Sequence, residues 1–490
     1  MNLELLYLIP MYFKNDIIPK FIHFAFGLIT AAMLYWYLKQ HINKAYALLG
    51  VLFFLTIPII IRLSSIVYVD LGLICFLFVS ILILFKWIES GFKSKYLIFS
   101  AAFCGLALGT KYNGLIGLFL LSLFTAFVYA RYNASHKFYH VKSIGWCALF
   151  VIVALTVFSP WMIRNYAWTG NPVYPLYKGI FNAGEKVSAK IAPDNAIQAR
   201  AQMSHINVRC QIYKESWLEI ALIPARVFFQ GKDYDPQFFD GRTNPFLLIL
   251  PIFAFFGLRY SSRQENTEKW MLLFFSVFFL LFVCVQRGIR IRYFGPILPP
   301  LVILAMYGLY NIQAFIVNRL PHPPAEPVKK AAIFGIVCIL LGFNAIYMAN
   351  RFRYVQPLAY ITEKVARDDY IQTYRPEYAA FQYANRNLGK DAKIFAPHFS
   401  RRGYYSDIQI EFSTTMLQKI ASEADSGVDL AEHLQGLGFT HLLINFSVFN
   451  YLVEKYPIHD KIVLKEFFEN YTVTEFSKDG FGLLRMVTSP

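Results

Sequence analysis

Residues 97–130 read LIFSAAFCGLALGTKYNGLIGLFLLSLFTAFVYA, an apolar run interrupted at Gly109-Thr110-Lys111-Tyr112-Asn113. As one overlong helix it would leave Lys111 in mid-bilayer, at a cost of about 2.5–3.5 kcal/mol on insertion scales. As two short helices it puts the lysine at their shared end. The choice sets the sidedness of everything downstream, so the Lys and Arg distribution tests it. With two crossings and the N-terminus outside, the inside loops carry fourteen Lys and Arg and the short outside loops five. A single crossing turns this into eight inside against ten outside. The bias of basic residues toward the inside selects two crossings.

The rest of the chain agrees with a bilayer setting. Of 490 residues 56% are hydrophobic and only 16% charged, with a mean hydropathy of +0.41. A soluble domain is less apolar and more charged. Further spans are expected at 21–38, 45–61, 69–87, 144–163, 244–258, 270–285, 295–311 and 331–349, for about ten transmembrane helices. The net charge of +16 falls mainly in the breaks between apolar runs. It therefore reads as orientation, and no nucleic-acid partner is expected. Five of the six cysteines lie inside apolar runs and Cys210 stands alone, so no disulfide framework is legible.

This topology places two long segments outside: a loop at 164–243 and everything after about residue 350. Within the loop, 195–229 interleaves Ile206, Trp217, Ile220 and Ile223 with Arg200, Arg209, Lys214 and Arg226. That pattern suits a helix lying on the membrane surface or one packed on the protein's own outer face. From 350 to 490 charge rises and apolar runs shorten. Strand-like runs at Lys393–Pro397, His441–Asn445, Tyr471–Phe476 and Gly482–Met486 alternate with helical patterns, which predicts a small extracytoplasmic α/β domain. Asp479-Gly480 marks a turn between the last two strands.

Charges that orientation does not explain are the informative ones. Arg287, Arg290 and Arg292, followed by Tyr293, violate the inside bias, and guanidinium groups suit a lipid phosphate. The bland alternative is anchoring to ordinary anionic headgroups. Asp70 opens a span, either as a cap or facing a polar cavity. Lys111 sits in the break, either in a cavity or simply reaching for the interface. Asp233, Asp235 and Asp240 could hold a divalent cation, but the spacing is not that of an EF-hand and a solvated turn fits better. HExxH, GxSxG and P-loop patterns are absent.

Several segments together resemble a family. Trp161-Met-Ile-Arg164-Asn165-Tyr-Ala-Trp-Thr-Gly-Asn-Pro-Val-Tyr-Pro175 looks like a segment of the GT-C glycosyltransferases of the dolichyl-phosphate-mannose–protein mannosyltransferase class, to which the lipid A aminoarabinose transferases are related. Asp70 after Ser64-Ser65-x-x-Tyr68, the 106–114 stretch and Arg292-Tyr-Phe-Gly-Pro-Ile-Leu-Pro299 are similar to further segments, over roughly residues 1–345. The resemblance implies inverting transfer of a sugar from a polyprenyl-phosphate donor, at the outer face of the plasma (inner) membrane. Lys111, Arg287, Arg290, Arg292 and Tyr293 would hold the lipid phosphate. Asp70 would be a supporting acid, and Arg164, Asn165, Asp233 and Asp235 would be outer-loop substrate contacts. Family members carry their principal base on a first outer loop. Residues 1–20 match only the end of such a loop, and Glu4 and Asp16 stand in no convincing motif, so this chain is expected to lack that base. The expected division is 1–20, a transmembrane body at 21–349 and a domain at 350–490. Competing readings are a transporter or flippase, or a polymerase or ligase, of lipid-linked glycans. A transporter should show paired repeats and midplane polar residues, which this sequence does not.

Overall fold

The computed structural model describes residues 2–13, 15–181, 205–256, 262–286, 288–318, 326–399, 403–413, 415–454 and 456–487. Among these the chain forms two compact units that divide between Arg353 and Tyr354.

The first unit is helical. It opens with α1 (Asn2–Tyr12), α2 (Ile18–His41), α3 (Lys44–Thr56), α4 (Pro58–Ser64), α5 (Asp70–Glu89), α6 (Ser94–Leu108), α7 (Gly114–Tyr132) and α8 (Tyr139–Thr169). Later come helices Arg263–Cys284 and Leu298–Asn318, the second preceded by a tight turn Ile291–Ile297, and then Glu326–Val355. Among the described residues seven helices are long and apolar enough to cross a bilayer, and α3 with α4 makes an eighth, bent by 66°. Pro58 has no N–H to continue the ladder of α3, which explains the bend. α5 is apolar all round and 78% buried over its apolar window, whereas α8 is only 22% buried. α5 is thus the core of the bundle, and α8 presents most of its surface outward. The chain is an integral, multi-pass membrane protein.

The run 97–130 resolves into α6 and α7 with the break at 109–113. Glycine is required on both sides of it. A Cβ on Gly105 would lie 2.5 Å from the Ala154 carbonyl, and one on Gly114 2.9 Å from backbone atoms of Ala107 and Leu108. The segment expected to span at 244–258 is regular helix over only part of its length, and residues 257–258 lie outside the described ones. Phe246–Phe253 is a helix of eight residues, about 12 Å long and far short of a bilayer core. Pro245 starts it and Pro251 interrupts its hydrogen bonding. It packs so closely along Leu298–Asn318 that a Cβ on Gly308 would strike the Leu250 carbonyl.

α1 docks against the break. The Asn2 N–H donates to the Gly109 carbonyl (2.8 Å) and its side-chain amide to that of Leu106 (3.2 Å). Trp161 Nε1–H donates to Asn2 Oδ1 (2.6 Å), and Leu3 fills the space over Gly72. A Cβ at Gly109 would fall 2.4 Å from the Asn2 amide. Gly109→Ala should therefore displace α1 and cost about 1–3 kcal/mol, read as a lower thermal unfolding midpoint of the detergent-purified protein.

The stretch 205–229 is not one surface helix; residues 195–204 lie outside the described ones. It breaks into a π turn (Val208–Ile212) and helices Trp217–Ala221 and Ile223–Phe229. Its arginines point inward. Arg209 and Arg226 both reach Glu215, at 3.2 and 3.1 Å, and all three are buried. Burial pulls the Arg209 guanidinium down from its ordinary value, and Glu215 supplies the compensating charge. Trp217 and Leu218 are left exposed, so the segment is apolar outside and ionic inside.

The second unit is a five-stranded sheet in the order β2-β1-β3-β5-β4: β1 (Lys393–Pro397), β2 (Gln409–Ser413), β3 (His441–Asn445), β4 (Thr472–Lys478) and β5 (Phe481–Met486). β1 pairs in parallel with β2 and β3, while β5 runs antiparallel to β3 and β4. Phe395, Leu442 and Ile444 pack on one face against Leu417, Leu430 and Phe467. Ile394, Ala396 and Leu443 pack on the other against Phe381 and Ala384. Asp479 and Gly480, both at positive φ, make the β4–β5 turn.

Just past β1, His398 sits at φ +56° with its ring nitrogen 2.6 Å from the Tyr456 hydroxyl. Burial pushes this imidazole below its ordinary 6.5, and burial does the same to His441. Below about pH 6.5 the unfolded chain takes up protons that the folded one refuses. Stability is therefore full above that pH and is lost as pH falls through the lowered folded values. Hydrogen exchange of the β1 and β3 amides in the intact protein, corrected for intrinsic rates, should speed up between about pH 7.5 and 5.5. His398→Gln should reduce the pH slope.

Candidate active site

The turn 63–71 is built by a histidine that the sequence reading passed over. His23, in α2 and fully buried, has Nδ1 2.8 Å from the Ile66 carbonyl and 3.1 Å from that of Leu63. Its Nε2 accepts the Leu71 N–H at 3.0 Å. A backbone N–H can only donate, so Nε2 carries the lone pair and Nδ1 the proton. The neutral ring thus ties α2 to the start of α5 and fixes Asp70. Tyr7 of α1 closes the other side by donating to the Tyr68 carbonyl (2.7 Å). Burial and then the charge of Asp70 push the Tyr7 phenol up, so it remains a donor.

Asp70 is 2% exposed, and Lys111 Nζ meets its Oδ1 at 2.6 Å. The same Nζ lies 4.4 Å from the centre of the Tyr293 ring. From the Ile291–Ile297 turn, the Arg292 guanidinium stacks 4.4 Å from the Tyr68 ring and 5.3 Å from that of Tyr293. Three elements far apart in sequence thus bring together two cations, one carboxylate and two aromatic rings. Arg292 Nε is buried without a hydrogen-bond partner among the described residues. A buried N–H with no acceptor is costly and marks a place where a bound anion would complete the structure.

The other residues singled out from sequence lie elsewhere. Arg290 reaches Asp240 at 3.5 Å, and Arg287 is outside the described residues. Arg164 stacks on Trp168 at 4.1 Å. Asn165 donates to the Tyr112 hydroxyl (3.0 Å), which itself donates to the Tyr174 carbonyl (2.5 Å), so Asn165 braces the residue beside Lys111. Asp233 and Asp240 both pair with Arg62, at 3.2 and 3.0 Å. Tyr347 also donates to Asp233 (2.7 Å), and Arg62 stacks on Tyr234 at 4.6 Å. The turn expected to be solvated is therefore an ionic clamp on α4. Asp235, paired with Lys232 at 3.3 Å, is the most exposed of the three aspartates. Among the described residues no three His, Cys, Asp or Glu side chains gather as a metal site.

Residues 14–163 match the model of the dolichyl-phosphate-mannose-protein mannosyltransferase family. No curated protein matches the sequence. Among solved structures, apo ArnT from Cupriavidus metallidurans aligns with a TM-score of 0.50 at 13% identity, over 96% of this chain and 83% of that one. The oligosaccharyltransferase of Archaeoglobus fulgidus, tethered to an acceptor peptide with the NVT sequon, gives 0.50 at 9% identity, over 97% of this chain and 63% of that one. The chain has the GT-C glycosyltransferase fold. Its 14–163 segment, which contains Asp70 and Lys111, carries the mannosyltransferase family's sequence pattern.

Proposed function

We propose that this chain transfers a sugar from a polyprenyl-phosphate donor to a lipid, glycan or protein acceptor, with inversion, at the outer face of the plasma membrane. The observation that carries this reading is the Arg292–Lys111 pair set on Tyr68 and Tyr293, with a buried Arg292 N–H left unanswered. As the glycosidic bond breaks, negative charge grows on the phosphate of the departing lipid. Cations already in place stabilise that charge without reorganisation. Asp70, held at 2.6 Å by Lys111, is a poor base for an acceptor hydroxyl. Its part is to orient the lysine and balance the site's charge when no donor is bound.

The basic-residue bias of the sequence supports an extracytoplasmic location for Asp70, Lys111 and Arg292, and separately for the chain after about residue 350. The relatives act on such substrates by name: a mannosyltransferase family that uses a dolichyl-phosphate sugar, and an oligosaccharyltransferase with a peptide acceptor. The test is a panel of polyprenyl-phosphate sugars presented to the purified chain in liposomes. Consumption of one of them, with release of polyprenyl phosphate, supports the reading. Failure of the chain to bind polyprenyl phosphate at all would remove it.

A further inference from the structure

At the opposite end of α7 from Lys111 lies a groove that the proposed transfer does not use. α7 and the helix Arg263–Cys284 touch edge to edge at Phe119 and Phe282, with ring centres 5.7 Å apart, and meet again at the other end, where the Tyr132 hydroxyl lies 3.1 Å from that of Thr267. Between them runs a cavity of about 740 Å³, lined by Phe124, Phe127, Trp270 and Phe274 with Arg131 and Arg263 at its mouth. A second cavity of about 610 Å³ shares Phe124, Phe127 and Phe274 and continues past Ala130 and Phe278 against α8. Together they make one channel, apolar along its length and cationic at one end.

We propose that this groove binds one anionic glycerophospholipid from the leaflet facing away from Lys111, with its phosphate between Arg131 and Arg263 and its acyl chains on the phenylalanines. Charge is the first argument. Neither arginine has a carboxylate partner among the described residues. Arg263 instead donates to the Arg131 carbonyl at 2.9 Å and stacks 4.3 Å from the Tyr132 ring. The nearby acids are engaged elsewhere: Glu265 with Lys269 at 2.7 Å, and Glu268 with the Tyr37 hydroxyl at 2.7 Å. The mouth is therefore positive.

Dimension is the second argument. From Arg263 to Phe278 the groove follows a helix for about 22 Å, close to the depth of one leaflet with its headgroup. Trp270, partly exposed on the mouth side, is a residue type that favours the headgroup boundary. Separation is the third. The nineteen residues of α7 put about 28 Å between this mouth and the Asp70–Lys111 pair, so one lipid cannot serve both.

Native mass spectrometry of the full chain, equilibrated with equal amounts of phosphatidylglycerol and phosphatidylcholine of matched acyl chains, reads the claim. One phosphatidylglycerol should be retained with a preference of about tenfold or more, from two cations acting on one headgroup. Arg131→Gln with Arg263→Gln should abolish the preference. Ala130→Trp, which fills the groove and leaves the charges, should release the lipid. Equal retention of the two lipids overturns the proposal, as does unchanged retention of phosphatidylglycerol in the arginine double variant. Displacement of the lipid by millimolar glycerol phosphate would make a free anion the ligand and overturn it too.

Discussion

Arg292→Ala is expected to lower the rate of sugar transfer by about 10²–10³-fold, the scale on which removing one preorganised donor to a developing anion acts. Expression and thermal stability should change little. The side chain is only half-buried, and its main contacts are with the Tyr68 and Tyr293 rings, worth about 0.5–2 kcal/mol at most. The buried Nε that Arg292 leaves unanswered is removed with the side chain, so no orphaned group remains to penalise the variant. Arg292→Lys should not restore the rate, because an ammonium lacks the planar fork that grips two phosphate oxygens. Single-turnover rates in proteoliposomes, at a donor concentration saturating for the unchanged chain, would measure both. A rate within twofold of the unchanged chain in Arg292→Ala would remove Arg292 from the phosphate site.

What the sequence made legible was local. The α6–α7 break could be seen because glycines and one lysine interrupt an apolar run, and such interruptions are short-range signals. Four strands and the Asp479-Gly480 turn were visible for the same reason. The edge strand β2 was not, since Gln409–Ser413 is short and paired on one side only. The shortness of the helix inside 244–258 was hidden because hydropathy counts apolar residues and is blind to where Pro245 and Pro251 end hydrogen bonding. Contacts between distant residues were out of reach altogether. Arg62 meets Asp233 across 171 positions, and without that contact the acidic turn looks solvated. Nothing in the sequence singles out His23 within its apolar helix. Its function is visible only once the turn it holds has been built. Tyr68 was quoted as part of a pattern, but its role as the platform for Arg292 needs the fold.

The Asp70–Lys111 pair gives the second large effect and separates architecture from chemistry. Lys111→Met leaves Asp70, 2% exposed, without its partner, and breaking a buried pair in this way costs about 3–5 kcal/mol. Asp70→Asn should cost less, because the lysine side chain retains 21% exposure and can turn toward water. Asp70→Leu combined with Lys111→Met removes both charges. It should regain most of the stability lost in Lys111→Met, with a coupling of about 2 kcal/mol or more in a double-mutant cycle of thermal unfolding. Transfer should not return with it. If Lys111 touches the donor phosphate, the repaired but uncharged site still lacks that cation, and affinity for polyprenyl phosphate should stay down by about tenfold or more. Were the double variant to recover activity along with stability, the pair would be a structural strut alone, and the anion would have to be held by Arg292 without the lysine.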